Sequence, residues 1–559
     1  PRISMADGEF QSLESNFAME IKGYLKIPKD DNYVFRLTSD DGSRLYIDDK
    51  VIIDFDGLHG GESRDGEIAL EAGYHPFKIE FFQGGGGKVI RLEWNSFSLG
   101  EFAIVPGTVL FYNKLESTLN AEVASLPQVS RIPGDKSALQ SVHPSYDLSQ
   151  ARPNELSPKV GGMDFLPDGR LVISTWDAEG GVYVIDGVQT GDPAKMTYKK
   201  IATGLAEPLG VRVVDGEIYV LQKQELTKLI DHNGDEQIDE YYTVSNDWRV
   251  SANFHEFCFG LAYKEGYFYA ALAIAILPGG ASANPQIPDR GKAVRINRET
   301  GKLEVVAEGL RTPNGVGLGV DNEIFIADNQ GDWLPSSKIL HVTKGAFFGS
   351  RAVDSARVAN LPVKLPVVWL PQDEIGNSPT TPLALNDGPY KGQMIHGEVT
   401  HGGVKRVFVE KINGEYQGCV FRFIQGLEAG VNRMVWGPDG ALYVGGIGST
   451  GNWRQEGKLW YGLQRLKYNE KSTFEMLAVR AQSDGVEIEF TEPLAEGFGW
   501  NPNDYIIQQW YYQPTANYGG PKLGLENLQI QSVNISRDRK KIFLELAGMK
   551  PNHVVYIRL

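Results

Sequence analysis

Cysteine is scarce in this 559-residue sequence, and long apolar runs do not occur. The two cysteines, Cys258 and Cys419, lie far apart in strand-like runs, which favours free buried thiols over the alternative of a disulfide. The sequence contains no C-x-x-C-H haem attachment motif and no C-x-x-C zinc spacing. Because a helix needs roughly 18 to 20 apolar residues to cross a bilayer, we expect no membrane span.

Positive charge is in deficit. Against 71 Asp and Glu there are 55 Lys and Arg, so the formal net charge is −16. An acidic chain is a poor partner for nucleic acid or for an anionic membrane, because like charges repel. The balance suits a soluble secreted protein or one with neutral substrates.

Glycine and proline, in contrast, are abundant. The chain has 64 glycines and 29 prolines beside 42% hydrophobic residues, which is typical of turn-rich β structure rather than helical bundles. The length exceeds what one hydrophobic core accommodates, so we expect two to four domains. The predicted fold class is all-β.

Residues 1–115 show alternating runs that predict the short strands of a β-sandwich. The run Ser39-Asp40-Asp41-Gly42-Ser43-Arg44-Leu45-Tyr46-Ile47 and the closing Leu92-Glu93-Trp94 resemble the PA14 domain. The resemblance implies a module that accompanies glycan-active enzymes and adhesins, with Asp40 and Asp41 holding a calcium ion that binds sugar hydroxyls. Alternatively, Asp40-Asp41-Gly42 is only a turn whose side chains cap backbone amides.

Residues 116–150 predict a linker, since Pro127, Pro133 and Pro144 break any helix there. Residues 469–559 contain strands at the spacing of an Ig/fibronectin-like β-sandwich. We expect this C-terminal domain to be structural or a spacer.

Between them, residues 151–468 repeat a strand–turn–strand unit, as in Val431-Asn432-Arg433-Met434-Val435-Trp436-Gly437-Pro438-Asp439-Gly440-Ala441-Leu442-Tyr443-Val444. The turn acids are Asp168, Asp215, Glu265, Asp321 and Asp439, at intervals of 47, 50, 56 and 118 residues. The last interval is about twice the others and implies a hidden unit near residues 365–410. Six hairpin repeats of this length predict a six-bladed β-propeller, whose closed ring leaves no exposed sheet edge.

Residues that flank the hairpins are the candidate functional residues, because the loops that enter the first strands of propeller blades usually form the binding or active site. These residues are Trp176, Asp177, Gln222, Lys223, His255, Arg311, Asn314, Asp328 to Asp332 and Arg433.

A His before the third hairpin, Gly309-Leu310-Arg311-Thr312-Pro313-Asn314-Gly315 before the fourth and Asp328-Asn329-Gln330-Gly331 after it resemble the soluble glucose/sorbosone dehydrogenase family. That family consists of six-bladed propellers that use pyrroloquinoline quinone (PQQ) and calcium. The chain is also similar to large secreted bacterial proteins of the membrane-bound dehydrogenase type, which often carry a haem domain.

The resemblance implies a role for each matching residue. His255 would be the general base for the substrate hydroxyl, and Arg311 would stabilise negative charge on the quinone. Gly331 and Asp332 would hold calcium. The candidate PQQ ligands are Gln330, Lys405, Arg406 and Arg433.

Other roles stay open for these residues. His255 is alternatively a channel-lining histidine, Arg311 an inter-blade salt bridge, and Lys405 with Arg406 a solvated strand edge. Thr312 stands where the family has Asn. Because the sequence lacks a haem motif, a separate cytochrome is the candidate electron acceptor.

A second set of acids offers different chemistry. It comprises Asp373, Glu374, Glu398 and Glu428, with His396 and His401 nearby. Two carboxylates at a fixed separation would serve a glycan hydrolase or lyase, and the histidines a zinc site. Residues 231–240 resemble a calcium loop, or form a solvated connection between strands.

The sequence thus predicts a secreted, periplasmic or extracellular carbohydrate-active protein: a PQQ- and calcium-dependent sugar dehydrogenase with a glycan-binding PA14 module. The alternatives are a glycan hydrolase or lyase on the same propeller, and a non-catalytic glycan-binding or scaffold protein.

Overall fold

The computed structural model describes residues 3–6, 9–10, 16–84, 86–96, 99–112 and 141–559. The chain divides into two compact units, Pro1–Arg131 and Ile132–Leu559. Most regular structure is β-strand, and the all-β fold class is confirmed. The helical segments are short: α1 spans Ser355–Val358, and 3-10 turns span Gly107–Val109, Val188–Thr190, Pro193–Lys195, Val320–Asn322, Gly388–Tyr390 and Pro502–Asp504.

The first unit is a sandwich of two five-stranded sheets. One has the order β1-β8-β3-β6 with β9 on β8, and the other has the order β10-β2-β7-β4-β5. Alternate side chains face inward, so Phe35, Leu45, Ile79 and Trp94 form a buried core. The strands are β1 (Ser4–Ala6), β2 (Phe17–Ile27), β3 (Asp31–Asp40), β4 (Ser43–Ile47), β5 (Lys50–Phe55), β6 (Glu62–Leu70), β7 (Gly73–Gln83), β8 (Val89–Ser96), β9 (Ala103–Ile104) and β10 (Leu110–Phe111).

The second unit begins with six four-stranded antiparallel sheets, here called blades one to six. Blade one is β12 (Val160–Phe165), β13 (Leu171–Thr175), β14 (Val182–Asp186) and β15 (Thr197–Ala202); blade two is β16 (Gly210–Val214), β17 (Glu217–Leu221), β18 (Leu226–Ile230) and β19 (Glu240–Ser245). Blade three is β20 (Cys258–Lys264), β21 (Tyr267–Leu272), β22 (Lys292–Asn297) and β23 (Leu303–Glu308); blade four is β24 (Val316–Leu318), β25 (Ile324–Asp328), β26 (Ser337–His341) and β27 (Val368–Leu370). Blade five is β28 (Pro379–Leu385), β29 (Gln393–Glu398), β30 (Val404–Ile412) and β31 (Glu415–Ile424); blade six is β32 (Gly430–Trp436), β33 (Leu442–Ile447), β34 (Tyr461–Tyr468) and β11 (Tyr146–Gln150).

The blades close into a ring. The first strands contact each other in the series β12, β16, β20, β24, β28 and β32, and β32 returns to β12. The sixth unit inferred from the doubled interval is blade five, somewhat later in the chain than predicted.

An early strand completes blade six. β11 pairs antiparallel with β34, with Tyr146 opposite Tyr468 and Gln150 opposite Gln464. Residues 146–150, predicted as the end of the linker, are therefore the outermost propeller strand; residues 116–140 of that prediction lie outside the described residues. The strand is short and half-exposed, so its alternation gave little signal.

The turn after β32 shows why the hairpins form. Asp439 accepts a hydrogen bond from the Ala441 amide at 3.2 Å, and Gly440 takes a φ of 68°. Asp439 also pairs with Arg465 at 2.8 Å. The turn acid therefore fixes backbone and strand spacing, as expected for a structural role.

The C-terminal part of the second unit is a sandwich of sheets β35-β36-β40-β39 and β38-β37-β41 around a core that includes Ile488, Ile542 and Leu544. Its strands are β35 (Met476–Gln482), β36 (Gly485–Phe490), β37 (Ile506–Tyr511), β38 (Leu523–Asn527), β39 (Gln529–Ile535), β40 (Lys541–Ala547) and β41 (Val554–Arg558). β35 packs on β30 and β31 of blade five.

Within the part of the chain that is described, no helix has the length and apolar character needed to cross a membrane. Both cysteines are free, and burial raises the pKa of each thiol to about 12.

Candidate functional site

The loops that enter β20 and β24 bring His255 and Arg311 together. Both side chains are buried, with 2% and 4% exposure. Thr312 joins them: its Oγ1 accepts a hydrogen bond from Arg311 Nη1 at 2.9 Å and lies 3.1 Å from His255 Nε2. The two residues to which the sequence resemblance gives catalytic roles are therefore neighbours in space, with Thr312 between them; the roles themselves stay predictions.

The partners of His255 determine its tautomer. Nδ1 lies 2.8 Å from the Ile274 carbonyl oxygen, which only accepts, so Nδ1 carries the proton. Nε2 therefore accepts the hydrogen bond that the Thr312 hydroxyl donates. Burial lowers the pKa of His255 to about 3. A general base works best with a pKa near the working pH and an available lone pair, and His255 has neither in this arrangement.

Asp328 positions the segment that carries Arg311. Its carboxylate, at the end of β25, accepts hydrogen bonds from the Arg311 amide at 3.2 Å and the Thr312 amide at 2.9 Å. The side chain has no exposed surface, and burial raises its pKa. Asp328, the first residue of the Asp-x-Gln-Gly motif, therefore fixes the backbone at Arg311 and Thr312.

A loop of the C-terminal sandwich covers this region. We call it the strap, residues 512–522 between β37 and β38. Its Gly519 amide donates a hydrogen bond of 3.1 Å to the Gly331 carbonyl, which also accepts from the Leu334 amide at 3.0 Å. Both lone pairs of the predicted calcium-binding carbonyl are therefore occupied.

Further contacts fasten the strap. The Thr515 carbonyl accepts from Trp333 N at 2.7 Å, and Gly520 N donates to the Pro335 carbonyl at 2.9 Å. The Tyr518 ring lies 5.0 Å from the Arg311 guanidinium carbon. The C-terminal domain, predicted to be structural or a spacer, thus covers Arg311 and Gly331 with one of its loops.

The three motif residues beside Arg311 bind other protein groups. Gln330 Nε2 donates to the Pro335 carbonyl at 3.1 Å, and Asp332 Oδ2 accepts from the Ser282 amide at 2.6 Å. Gly331 lies so close to Arg311 that an added Cβ would be 1.9 Å from Arg311 Cδ. Only glycine fits there.

Arg433 crosses the centre of the ring. It donates to the Leu209 carbonyl at 2.8 Å, to Asn314 Oδ1 at 2.9 Å and to the Asn432 carbonyl at 2.8 Å. These acceptors come from three separate parts of the ring, and burial lowers the pKa of Arg433 to about 9. Its donors bind protein carbonyls, so it ties blades together.

Lys405 and Arg406 lie on opposite faces of β30. Lys405 Nζ donates to the Gly402 carbonyl at 2.6 Å, and burial lowers its pKa to about 8. Arg406 donates to the Leu477 carbonyl at 2.8 Å and to Glu475 at 3.2 Å in the C-terminal sandwich. Both side chains have no exposed surface, so they are not the solvated strand edge that was the alternative.

The predicted PQQ ligands therefore do not converge. Lys405, Arg406 and Arg433 have three separate sets of protein partners, and Arg406 Nε is buried without an acceptor in the described part of the chain. Among the described residues no group of three or more His, Cys, Asp or Glu side chains is placed to hold a metal ion. This arrangement does not fit PQQ with calcium at Gly331 and Asp332.

Aromatic rings surround His255 on the same face. Trp453, in the loop after β33, lies 6.1 Å from His255 and 5.8 Å from Trp176 between ring centroids. Phe254 is 47% exposed. Sequence reasoning named Trp176 but missed Trp453 and Tyr518, whose loops carry no turn or acid–base motif.

The acidic set is used within the protein. Glu398 is fully buried and accepts from the Ser378 amide at 2.6 Å, and Glu428 pairs with Arg152 at 3.0 Å. His396 is also fully buried, and burial lowers its pKa to about 3. These groups are poorly placed for hydrolysis or for zinc.

The loop of residues 231–240 is built around Asp231. Asp231 accepts hydrogen bonds from the amides of Gly234 at 2.7 Å and Glu236 at 2.8 Å. Desolvation acts to raise the pKa of Asp231, but the backbone hydrogen bonds together outweigh it and hold the pKa below its ordinary value. The carboxylate organises the solvated connection between β18 and β19.

In the first unit, Asp41 joins two glycine-rich loops. It is 5% exposed, and its Oδ1 accepts from the His59 amide at 3.0 Å while Oδ2 accepts from the Gly84 amide at 2.8 Å. Asp40, at the end of β3, is half-buried beside it. The carboxylate of Asp40 makes no hydrogen bond or ion pair with any residue in the described ranges.

Residues 9–106 match the family model of the PA14 domain, which confirms that prediction. No curated protein matches the chain.

Similar solved structures include three dehydrogenases. One is an oxidoreductase (glucose dehydrogenase) from Thermus thermophilus, with 16% identity over 58% of this chain and 100% of that chain, and a TM-score of 0.42. The PQQ-bound aldose sugar dehydrogenase of Streptomyces coelicolor has 15% identity over 58% and 99%, with a TM-score of 0.43. The PQQ domain of pyranose dehydrogenase from Coprinopsis cinerea has 12% identity over 58% and 96%, with a TM-score of 0.41.

Proposed function

We propose that this is a carbohydrate-binding protein whose first sandwich holds a glycan through a calcium ion at Asp40 and Asp41. One observation carries the proposal: Asp41 fixes the loops of His59 and Gly84 beside a carboxylate, that of Asp40, that has no partner among the described residues. Calcium prefers carboxylate and carbonyl oxygens. Among the described residues, Asp40 and Asp41 supply two carboxylates rather than a full set of three or more acidic or histidine ligands, so water and the sugar hydroxyls would complete the coordination, with calcium supplying a Lewis acid that binds those hydroxyls.

The chain's own residues do the positioning. The two amide hydrogen bonds hold the Asp41 carboxylate in one orientation, and each oxygen keeps a second lone pair for a ligand. Glycines at positions 57, 60 and 86 leave open space where side chains would otherwise stand. The proposal includes a periplasmic or extracellular location, where calcium and glycan polymers are available.

Sugar oxidation is the second candidate. The direct link from His255 through Thr312 to Arg311 favours it, because the resemblance to the glucose/sorbosone dehydrogenase family implies that pair. Arg433, Lys405 and Arg406 bind three separate sets of protein partners and do not converge on one pocket, which disfavours PQQ as the cofactor; no step through the quinone is proposed. A cytochrome acceptor belongs to this candidate alone.

Calcium titration by calorimetry tests the first proposal. We expect the full chain to bind calcium at one site and to be retained on an immobilised neutral glycan only with calcium. Asp40→Asn should lose both properties with little change in thermal stability, because Asp40 has no protein partner among the described residues. Asp54→Asn is the matched control: it removes a carboxylate of the same sandwich that pairs with Arg44 at 3.0 Å.

The proposal fails if Asp40→Asn binds calcium as tightly as the original protein. The second candidate is tested by adding PQQ and calcium and following sugar-dependent dye reduction. We expect none above background; reduction that disappears in Arg311→Met would establish the dehydrogenase instead.

A further inference from the structure

The C-terminal sandwich carries two exposed aromatic side chains on one loop. We call residues 494–505, between β36 and β37, the aromatic loop. Phe498 is 66% exposed and Trp500 is 53% exposed. Exposing two large rings costs free energy in a monomer, since each would bury well against a core.

The backbone of the aromatic loop is nevertheless held firmly. Arg539 donates from Nε to the Leu494 carbonyl at 2.7 Å and from Nη2 to the Phe498 carbonyl at 3.3 Å. Tyr505, which is 6% exposed, donates its hydroxyl to the Gly499 carbonyl. Internal hydrogen bonds therefore fix the loop while its two rings point away from the core.

Glycine makes this shape accessible. Gly497 and Gly499 take φ values of 81° and 88°, which residues with a side chain rarely adopt. Gly499 also packs against Leu494 and Ile535, with a built Cβ at 3.3 Å from each. The sequence Gly-Phe-Gly-Trp thus presents two rings from a rigid, reversing backbone.

Polar groups with unsatisfied hydrogen-bonding capacity flank the rings. The side chains of Glu496, Asn503 and Asp504 are exposed and make no hydrogen bond or ion pair with any described residue. Asn501 uses its side-chain carbonyl to cap the turn at Asn503, which leaves its side-chain NH₂ group for a ligand. Apolar rings bordered by carboxamides and carboxylates match a ligand that has apolar C–H faces and hydroxyl edges.

We propose that the aromatic loop is a second carbohydrate-binding site, which takes the pyranose rings of a neutral polysaccharide. Sugar C–H bonds pack on the electron-rich face of an aromatic ring, and Asn501, Asn503 and Asp504 bind the hydroxyls. The flanking carboxylates and the net charge of −16 oppose a polyanion or an anionic membrane. The inference extends the proposed function but does not depend on Asp40 or on calcium.

Retention of the full chain on insoluble cellulose and chitin, in EDTA, tests this site alone. We expect measurable retention of the original protein, about a fivefold loss for Trp500→Ala and at least a tenfold loss for Phe498→Ala/Trp500→Ala. Folding should be unaffected because both rings are exposed. Tyr242→Ala is the matched control, since Tyr242 is also 53% exposed but lies on the outer strand of blade two, and its retention should not change.

Two results would overturn the inference. One is equal retention of the double variant and the original protein, and the other is no retention of the original protein on either polymer in EDTA. Binding to phosphatidylcholine vesicles that the double variant loses, without polysaccharide retention, would assign the loop to a lipid surface instead. Failure of the calcium site is recognised separately, because Asp40→Asn is assayed with calcium.

Discussion

The face of the propeller around Arg311 and the rim of the first sandwich around Asp41 both place charged side chains where a ligand is expected. At the propeller, most of the charged groups have protein partners: Arg433 binds three carbonyls or amides, and the strap covers Arg311, whose Nε is buried without an acceptor among the described residues. At the rim, Asp41 is anchored and Asp40 is left without a partner in the described residues. A charged residue at a family position indicates binding only when its hydrogen-bonding capacity is unsatisfied.

The largest effect should come from Arg433. Replacing it in Arg433→Met leaves several buried acceptors without donors, which should lower the free energy of unfolding by about 3 kcal/mol. Urea unfolding measures this loss. Arg249→Met is the control, because Arg249 pairs with Asp289 on the surface, and its loss should stay within about 0.5 kcal/mol. If the Arg433→Met protein is as stable as the original, Arg433 has no structural role and is again a candidate to bind the cofactor.

A second effect depends on pH. The pKa of His255 is lowered to about 3 in the folded protein, whereas an unfolded histidine titrates near 6.5. Below about pH 6.5 this histidine is therefore protonated in the unfolded chain but stays neutral in the folded protein, so the free energy of unfolding falls. At pH 5 the free energy of unfolding is lower by about 2 kcal/mol than it is well above pH 6.5.

His255→Gln removes this titration, so its unfolding free energy should fall less steeply between pH 7 and pH 5. Chemical unfolding at several pH values in that window measures the two slopes. Identical slopes would mean that His255 is accessible to protons in the folded protein, as a general base must be, and would sharpen the case for oxidation.

The smallest effect concerns the strap. Tyr518→Ala removes the ring that lies on Arg311 but keeps the backbone hydrogen bonds of Thr515, Gly519 and Gly520. We expect the free energy of unfolding to fall by about 1 kcal/mol or less, and hydrogen exchange in residues 512–522 to become faster. Tyr518→Phe keeps the ring and should behave as the original protein. Equal changes in both variants would show that the ring contact does not hold the strap.

Much of the fold could be predicted because its signals are local. Turns such as Pro438-Asp439-Gly440 specify hairpins within a few residues, and the doubled interval between turn acids indicated blade five. The strand β11 was missed because its partner, β34, lies at the far end of the propeller. Local patterns contain no information about such pairing.

The site was harder to predict for a related reason. The sequence placed His255 and Arg311 just before the first strands of neighbouring blades, and the structure brings both into contact with Thr312. The sequence could not indicate that the Gly519 amide donates a hydrogen bond to the Gly331 carbonyl, or that Arg406 pairs with Glu475. Those contacts join segments far apart in the chain, and they decide whether a polar group is available.

The pairing of β11 with β34 has a consequence for synthesis. A ribosome releases residues 146–150 long before residues 461–468, so β11 has no partner strand until β34, the last strand of the propeller, has emerged. Pairings so distant in sequence form slowly. The edge of β11 is exposed during that interval, and a chaperone that covers it would protect the nascent chain from pairing with a neighbour.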